Sequence, residues 1–277
     1  MGTQIPNMSS YQDMVKNPCQ QVEFNKGSVT VVAGREYTLW RATGFPSPGL
    51  GFYGTTPVTC TSATVGALPF INSTNTQRIV ACFLHMASVG AVGMARLHDR
   101  YIHNSGYSGT TTGSVPVNTP ALPARAGSAV GVRAAAEIWV TIGTVATTIS
   151  LSSYTDAVNG AGRVAPGVTI GSTGWRDPPR WIPFTLAPGD RGVASVENYT
   201  LTASTTTVGD FGIVLYRTLL SVPIHAVPQR NFEEEGILGM ALNMPIVPDD
   251  ACLFQTLVLN TTSTGAFMGY YKIAEMP

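Results

Sequence analysis

Residues 193–220, VASVENYTLTASTTTVGDFGIVLYRTLL, constrain the fold more than any other stretch of the chain. Tyr199, Leu201 and Ala203 share one face, and Thr200, Thr202 and Ser204 share the other. That is the period-2 alternation of a strand with one buried side. Past residues 205–209 the pattern resumes, with Phe211, Ile213 and Leu215 on one parity and Val214 and Tyr216 on the opposite one. A strand apolar on both faces is expected deep in a sheet, or with its outer face covered. Gly209-Asp210 marks a turn. The two strands therefore read as the central hairpin of a β-sandwich.

The same style repeats along the chain. Residues 28–32, 36–41, 78–88 and 91–97 read as strands. Residues 136–143 and 147–155 read as a second hairpin, with Ile138, Val140 and Ile142 on one face, continued by Ile149 and Leu151, and Trp139 pointing the other way. Asn159-Gly160 is a turn signal leading into a strand over 164–170. Residues 252–260 and 266–273 read as a last hairpin through Thr264-Gly265. Pro178 and Pro179 argue against a central strand in WRDPPRWIPF, where Trp175 and Trp181 are expected to clamp a crossing segment. Turn signals every 8 to 12 residues or so, and roughly ten to fourteen strands, predict an all-β, jelly-roll-like sandwich.

Two regions depart from this pattern. Residues 1–27 read as an N-terminal arm, with a short helix over 10–16 that starts at Ser10 and stops before Pro18. Residues 104–134 form a long excursion from a single domain spanning 28–277. An irregular segment of that length is expected to bind something, to be ordered by a partner, or to hide weak edge strands. The Gly/Pro-rich loop GFPSPGLGFYGTTP lacks a P-loop pattern and is expected to be pinned by Phe45, Phe52 and Tyr53.

Composition bounds the partners. Charged residues are 12% of the chain, about half the usual share. Thr, Ser, Gly, Ala and Pro take their place. Such a surface is weakly hydrated and can be buried against other subunits at little desolvation cost. Formal net charge is zero and no Lys/Arg run occurs, which disfavours direct nucleic-acid binding. No apolar run is long enough for a transmembrane helix, and the start lacks a signal peptide or a myristoylation pattern. Synthesis in a cytoplasm without classical export is the expectation, which makes the Asn-x-Ser/Thr triplets at Asn7, Asn72, Asn198 and Asn260 chance products. Cys19, Cys60, Cys82 and Cys252 show no metal-ligand spacing, and Cys82 and Cys252 sit in apolar runs as buried free thiols.

No motif singles out a chemistry. His98, Asp99 and His103 fall within HDRYIH. Odd spacing puts the two histidines on opposite faces of a strand, and a surface location is expected for them. Glu233, Glu234 and Glu235 carry the only dense charge and read as a solvated loop, with a cation site as the alternative. Tyr53, Tyr107, Trp175 and Trp181 are candidates for stacking on a sugar. No catalytic, cofactor-binding or metal-binding residue is assigned.

Stretches such as LWRATGFPSPG, GALPFINS, PALPARAG, FTLAPGDRGVASVENYTLTAS, GDFGIVLYRTL and VPDDACLFQTLVLNTTSTGAFMG resemble the virion structural proteins of tailed bacteriophages, and more narrowly their capsid cement or decoration class. The resemblance spans roughly residues 35–275 and transfers no functional residue. It implies a non-enzymatic, self-associating β-sandwich, a dimer or trimer, bridging major capsid proteins on the virion surface. The arm carries Lys16 and Lys26 against Asp13 and Glu23, which favours this auxiliary role over the main jelly-roll coat of a small virus. The arm and the excursion are the candidate contact regions. The alternatives are a carbohydrate- or receptor-binding module of the tail-fibre kind, and a β-sandwich hydrolase using Glu233–Glu235 or His98 with Asp99.

Overall fold

Alternating burial runs along the long strands. In the first, Val22, Phe24, Lys26, Val29 and Val31 are buried, and Gln21, Glu23, Asn25 and Thr30 face out. The computed structural model describes residues 9, 12–13, 20–50, 54–88, 92–224, 231–233 and 245–276. In chain order the strands are β1 (Gln20–Val31), β2 (Glu36–Thr38), β3 (Gly44–Phe45), β4 (Val58–Thr59), β5 (Thr76–Met86), β6 (Gly93–His103), β7 (Gly113–Pro116), β8 (Arg133–Val140) and β9 (Thr147–Asp156). They continue as β10 (Gly160–Arg163), β11 (Val168–Ile170), β12 (Arg180–Pro183), β13 (Val193–Leu201), β14 (Asp210–Ile224), β15 (Asn231–Glu233), β16 (Ile246–Val247), β17 (Leu253–Leu259) and β18 (Ser263–Met276).

These strands build three sheets. One runs β14-β8-β12-β2-β17-β6-β4, and β14 also pairs with β6. That extra pairing closes six of its strands into a barrel. A second sheet, β15-β5-β18-β1-β3 with β16 on β5, covers the β2, β6 and β17 side of the ring. A third, β10-β9-β13-β7 with β11 on β9, covers the β8, β12 and β14 side. The fold is all-β, as expected, with sheet packed on sheet at both flanks of the barrel.

Three cores result. Val22, Phe24, Leu84, Phe267 and Tyr271 of the second sheet pack on Ala95, Leu97, Leu253, Leu257 and Leu259 of the barrel. Ile149, Leu151, Tyr154, Val196, Tyr199 and Leu201 of the third sheet pack on Ala134, Ala136, Ile138, Phe211, Ile213 and Leu215. The opposite faces of the barrel strands meet one another inside the ring, around Trp40, Trp139, Trp181, Val214, Tyr216 and Phe254. This explains the two-sided apolar pattern of β14: one face meets an outer sheet and the other fills the barrel.

The three expected hairpins are not hairpins. β13 pairs with β9 and β7, while β14 pairs with β8 and β6. β8 and β9 likewise lie in different sheets, as do β17 and β18. In each case the chain turns a corner from barrel to outer sheet. The residues read as one buried face are then two faces pressed against each other. Alternation determines which side of a strand is buried and leaves its partner open.

Other expectations shift as well. β1 begins at Gln20, so the last eight residues assigned to the arm belong to a strand paired with β18. Of the helix expected over 10–16, only Gln12 and Asp13 lie among the described residues, and both are helical. β12 starts immediately after Pro179 and lies between β8 and β2, so the proline pair precedes a central strand without interrupting it. Phe45 is 53% exposed and does not pin the Gly/Pro-rich loop. The loop is held by Trp40, which leaves no room for a side chain at Gly49, and by the buried Lys26 ammonium, which donates to the Pro46 carbonyl at 2.7 Å. Burial pushes the Lys26 pKa down to about 8. Phe52 and Tyr53 lie outside the described residues.

The excursion over 104–134 is anchored to the barrel and to the third sheet. β7 within it extends the third sheet alongside β13. Arg125 donates from Nε to Asp99 Oδ2 at 3.0 Å, and from Nη2 to the carbonyls of Cys60 at 2.7 Å and Arg100 at 3.1 Å. Arg217 Nη2 donates to the carbonyls of Ala126 and Val130, both at 2.8 Å.

Candidate functional site

The barrel interior holds the charges of β6 and β8. Arg100 and Glu137 are fully buried and form an ion pair at 2.9 Å. The guanidinium lies 4.3 Å from the Trp40 ring and 4.5 Å from the Phe254 ring. Aromatic faces on the cation partly replace the hydration lost on burial. His103 Nδ1 lies 3.1 Å from Arg100 Nη1, with its ring edge-on to Trp40. Cys60 and Cys252 complete this end of the cluster. Burial, reinforced by neighbouring Cys60, holds the Cys252 thiol well above its ordinary pKa.

His98 and His103 are both buried, not on the surface as expected. Nor do they lie on opposite faces. The pairing of β6 with β14 slips between Ile102 and Arg100, so Tyr101 and Ile102 both turn into the outer core and His103 returns to the inside. Asp99, in contrast, faces away from His98. It accepts from Arg125 and from the Cys252 N–H at 2.9 Å, and burial raises its pKa to about 6 against the pull of Arg125. His98 and Asp99 therefore share no site.

A polar relay leads from the interior to one barrel mouth. Arg96 Nη1 pairs with Glu36 Oε1 at 2.8 Å, and the Thr256 hydroxyl donates to the same oxygen at 2.6 Å. Thr256 Oγ1 lies 2.8 Å from His98 Nε2, and His98 Nδ1 lies 3.0 Å from Thr218 Oγ1. The order of protons follows from the carboxylate. Thr256 spends its proton on Glu36, so it accepts from His98 Nε2–H, and the bare Nδ1 accepts from the Thr218 hydroxyl. Burial first, then Arg96 and Arg100, holds the His98 pKa well below its ordinary value.

Thr218 is exposed at the mouth. There a pocket of 460 Å³ opens between Glu36, Arg96, His98, Arg133, Tyr216 and Thr218 on the barrel and Pro183–Ala187 with Asp190 on the loop beyond β12. An exposed hydroxyl on an imidazole backed by a carboxylate has the order of an acyl-transfer triad. The electrostatics oppose that use. A general base must carry the proton as imidazolium, and here the imidazolium would lie buried beside two guanidinium groups. The relay ties β2, β6, β14 and β17 together at the mouth of the barrel.

The remaining sequence candidates do not converge on this pocket. Trp181 is fully buried in the barrel, and Tyr107 is buried beneath the Asn104 amide, which donates to its hydroxyl at 2.9 Å. Trp175 is half-buried, with the Arg35 guanidinium 4.0 Å from its ring. Tyr53, Glu234 and Glu235 lie outside the described residues, as does the side chain of Glu233. Among the described residues no group of three or more His, Cys, Asp or Glu is placed to hold a metal ion, and no helix is long and apolar enough to cross a membrane. Cys82 and Cys252 are buried free thiols, as is Cys60. Sequence reading passed over Glu36, Arg96, Arg133, Thr218 and Thr256. The one available signal was charge inside an apolar strand, as with Glu137 in RAAAEIWV.

No protein family matches the chain, and no curated protein matches it. Two solved structures from infectious bursal disease virus align with it. One, of the Gt strain, is 11% identical over 93% of this chain and 82% of that chain, with a TM-score of 0.17. The other, of the VP2 subviral particle, is 9% identical over 93% of this chain and 81% of that chain, also with a TM-score of 0.17. The chain thus has a distant similarity to structures of viral particles, and at that score the alignments carry no argument about fold or function.

Proposed function

We propose that the chain is a non-enzymatic virion structural protein of the cement or decoration kind, which binds the major capsid shell as a homo-oligomer and stabilises it. One observation supports this reading above the others. Inside the fold Arg100 is paired with Glu137 and Asp99 with Arg125, while large apolar side chains are left on the turns. Ile71 is 74% exposed, Val208 61%, Val158 60% and Val164 58%. With a surface poor in charge, such turns can be buried against another protein at small desolvation cost. The stacking reading is less favoured, because Tyr107 and Trp181 are occupied inside the fold.

The test uses shells of the same virion stripped of this chain. Added protein is expected to saturate at a fixed ratio to the major capsid protein and to raise the temperature of shell disassembly, since a ligand of the closed shell stabilises it by mass action. Failure to bind at micromolar concentration, with the protein folded, refutes the proposal. Light scattering across a dilution series reads the oligomeric state.

A further inference from the structure

The pocket at the barrel mouth has one positive charge left over. Of its acidic lining groups, Glu36 is matched by Arg96 at 2.8 Å, and Asp190 is matched by Arg163 at 2.8 Å. Asp190 is also held by the Tyr154 hydroxyl and by Asn159 Nδ2 at 2.8 Å. Arg133, at the exposed start of β8, lines the same pocket. Among the described residues its guanidinium has neither an ion pair nor a hydrogen bond. The relay adds a directional feature. Thr218 spends its proton on His98 Nδ1, so its oxygen offers the pocket lone pairs only. Pro183, Phe184, Leu186 and Tyr216 supply apolar wall.

We infer that this pocket is a binding site for an acidic side chain carried on peptide backbone. The carboxylate sits on Arg133, its methylenes lie against Phe184 and Leu186, and a backbone N–H donates to Thr218 Oγ1. A guanidinium without a partner favours a carboxylate over a neutral amide, because the carboxylate brings a full counter-charge and two oxygens that match the guanidinium fork. A volume of 460 Å³ is at the small-ligand scale and takes one residue with its flanking amides. The inference does not depend on the assembly role proposed above.

The test is calorimetric titration of the full chain at fixed ionic strength with N-acetyl-glutamate N-methylamide, its glutamine counterpart and glutarate. The glutamate probe is expected to bind with a dissociation constant on the order of millimolar, and the glutamine probe roughly tenfold more weakly. Arg133→Gln is expected to weaken the glutamate probe to the level of the glutamine one, and Arg133→Lys to restore part of the difference. Arg133 is exposed, so both variants keep the fold, which circular dichroism checks. Equal binding of the glutamate and glutamine probes, or binding unchanged by Arg133→Gln, overturns the site. Glutarate binding as tightly as the blocked glutamate overturns the backbone contact at Thr218 and makes a free dicarboxylate the ligand.

Discussion

Replacing His98 by Gln should remove one defined component from the acid sensitivity of the protein. In the folded chain His98 stays neutral well below its ordinary pKa, because it is buried beside Arg96 and Arg100. In the unfolded chain it takes up a proton near its unperturbed value of about 6.5. The unfolded state therefore binds the proton first, and stability is lost as pH falls below that value. Linkage gives the loss as RT ln(1 + 10^(6.5 − pH)), about 1.4 kcal/mol between about pH 7.5 and about pH 5.5. Asp99 works against this in the wild type. Its folded pKa is raised to about 6 from 3.8, so below about 6 the folded state takes the proton first and gains stability. A raw pH profile mixes the two, and the comparison must be between proteins. Gln keeps an amide donor toward Thr256 and carries no charge at any pH. Urea unfolding at a series of pH values is the assay. The variant should start less stable, and the gap to wild type should close by about 1.4 kcal/mol as pH falls to about 5.5. A constant gap would refute the burial and charge argument for His98.

Glu137→Gln leaves Arg100 charged and buried without its counterion, and should cost about 3–5 kcal/mol in denaturant unfolding; a loss under 1 kcal/mol or so would show that the aromatic faces alone hold the cation. Asp156 accepts four backbone N–H groups, from Val158, Asn159, Arg191 and Gly192, at 2.7 to 2.9 Å, and ties the β9–β10 turn to the loop before β13. Burial pushes its pKa up and these four donors outweigh it, holding the carboxyl well below its usual range. Asp156→Ala should therefore cost about 2–4 kcal/mol near neutral pH. That cost should shrink once the pH falls below the unfolded carboxyl pKa of about 3.9, and an unchanged urea midpoint at neutral pH would refute the role.

How much of this was legible in the sequence can be judged strand by strand. The buried parity of β13 and the two-sided burial of β14 were both readable from residues 193–220. Their placement in different sheets was not, because Tyr199 packing on Phe211 across two sheets leaves the same alternation as two strands side by side. Trp139 was read as facing away from Ile138, and it does, into a barrel that nothing local announces. Closure of that barrel depends on β6 pairing with β14, more than a hundred residues away. The pocket was invisible for the same reason. Glu36, Arg96, Arg133 and Thr218 come from four strands, and only ring closure brings them to one mouth. The slip in β6 that returns His103 to the interior adds one residue to the count, which parity arguments cannot anticipate.

The pairing of β1 with β18 has a consequence for how the chain is made. Thr30 and Thr264, whose hydroxyls meet at 2.9 Å, are 234 residues apart. β18 also supplies the second edge of β5, so the middle of that sheet is missing until the ribosome has released residues 263–276. Contact order is therefore high, because β18 must find a slot between two much earlier strands, a topology that slows folding. Until then β1 and β5 present unpaired edges and the apolar flank of the barrel lies open. In that interval edge-to-edge pairing with another chain is the competing reaction.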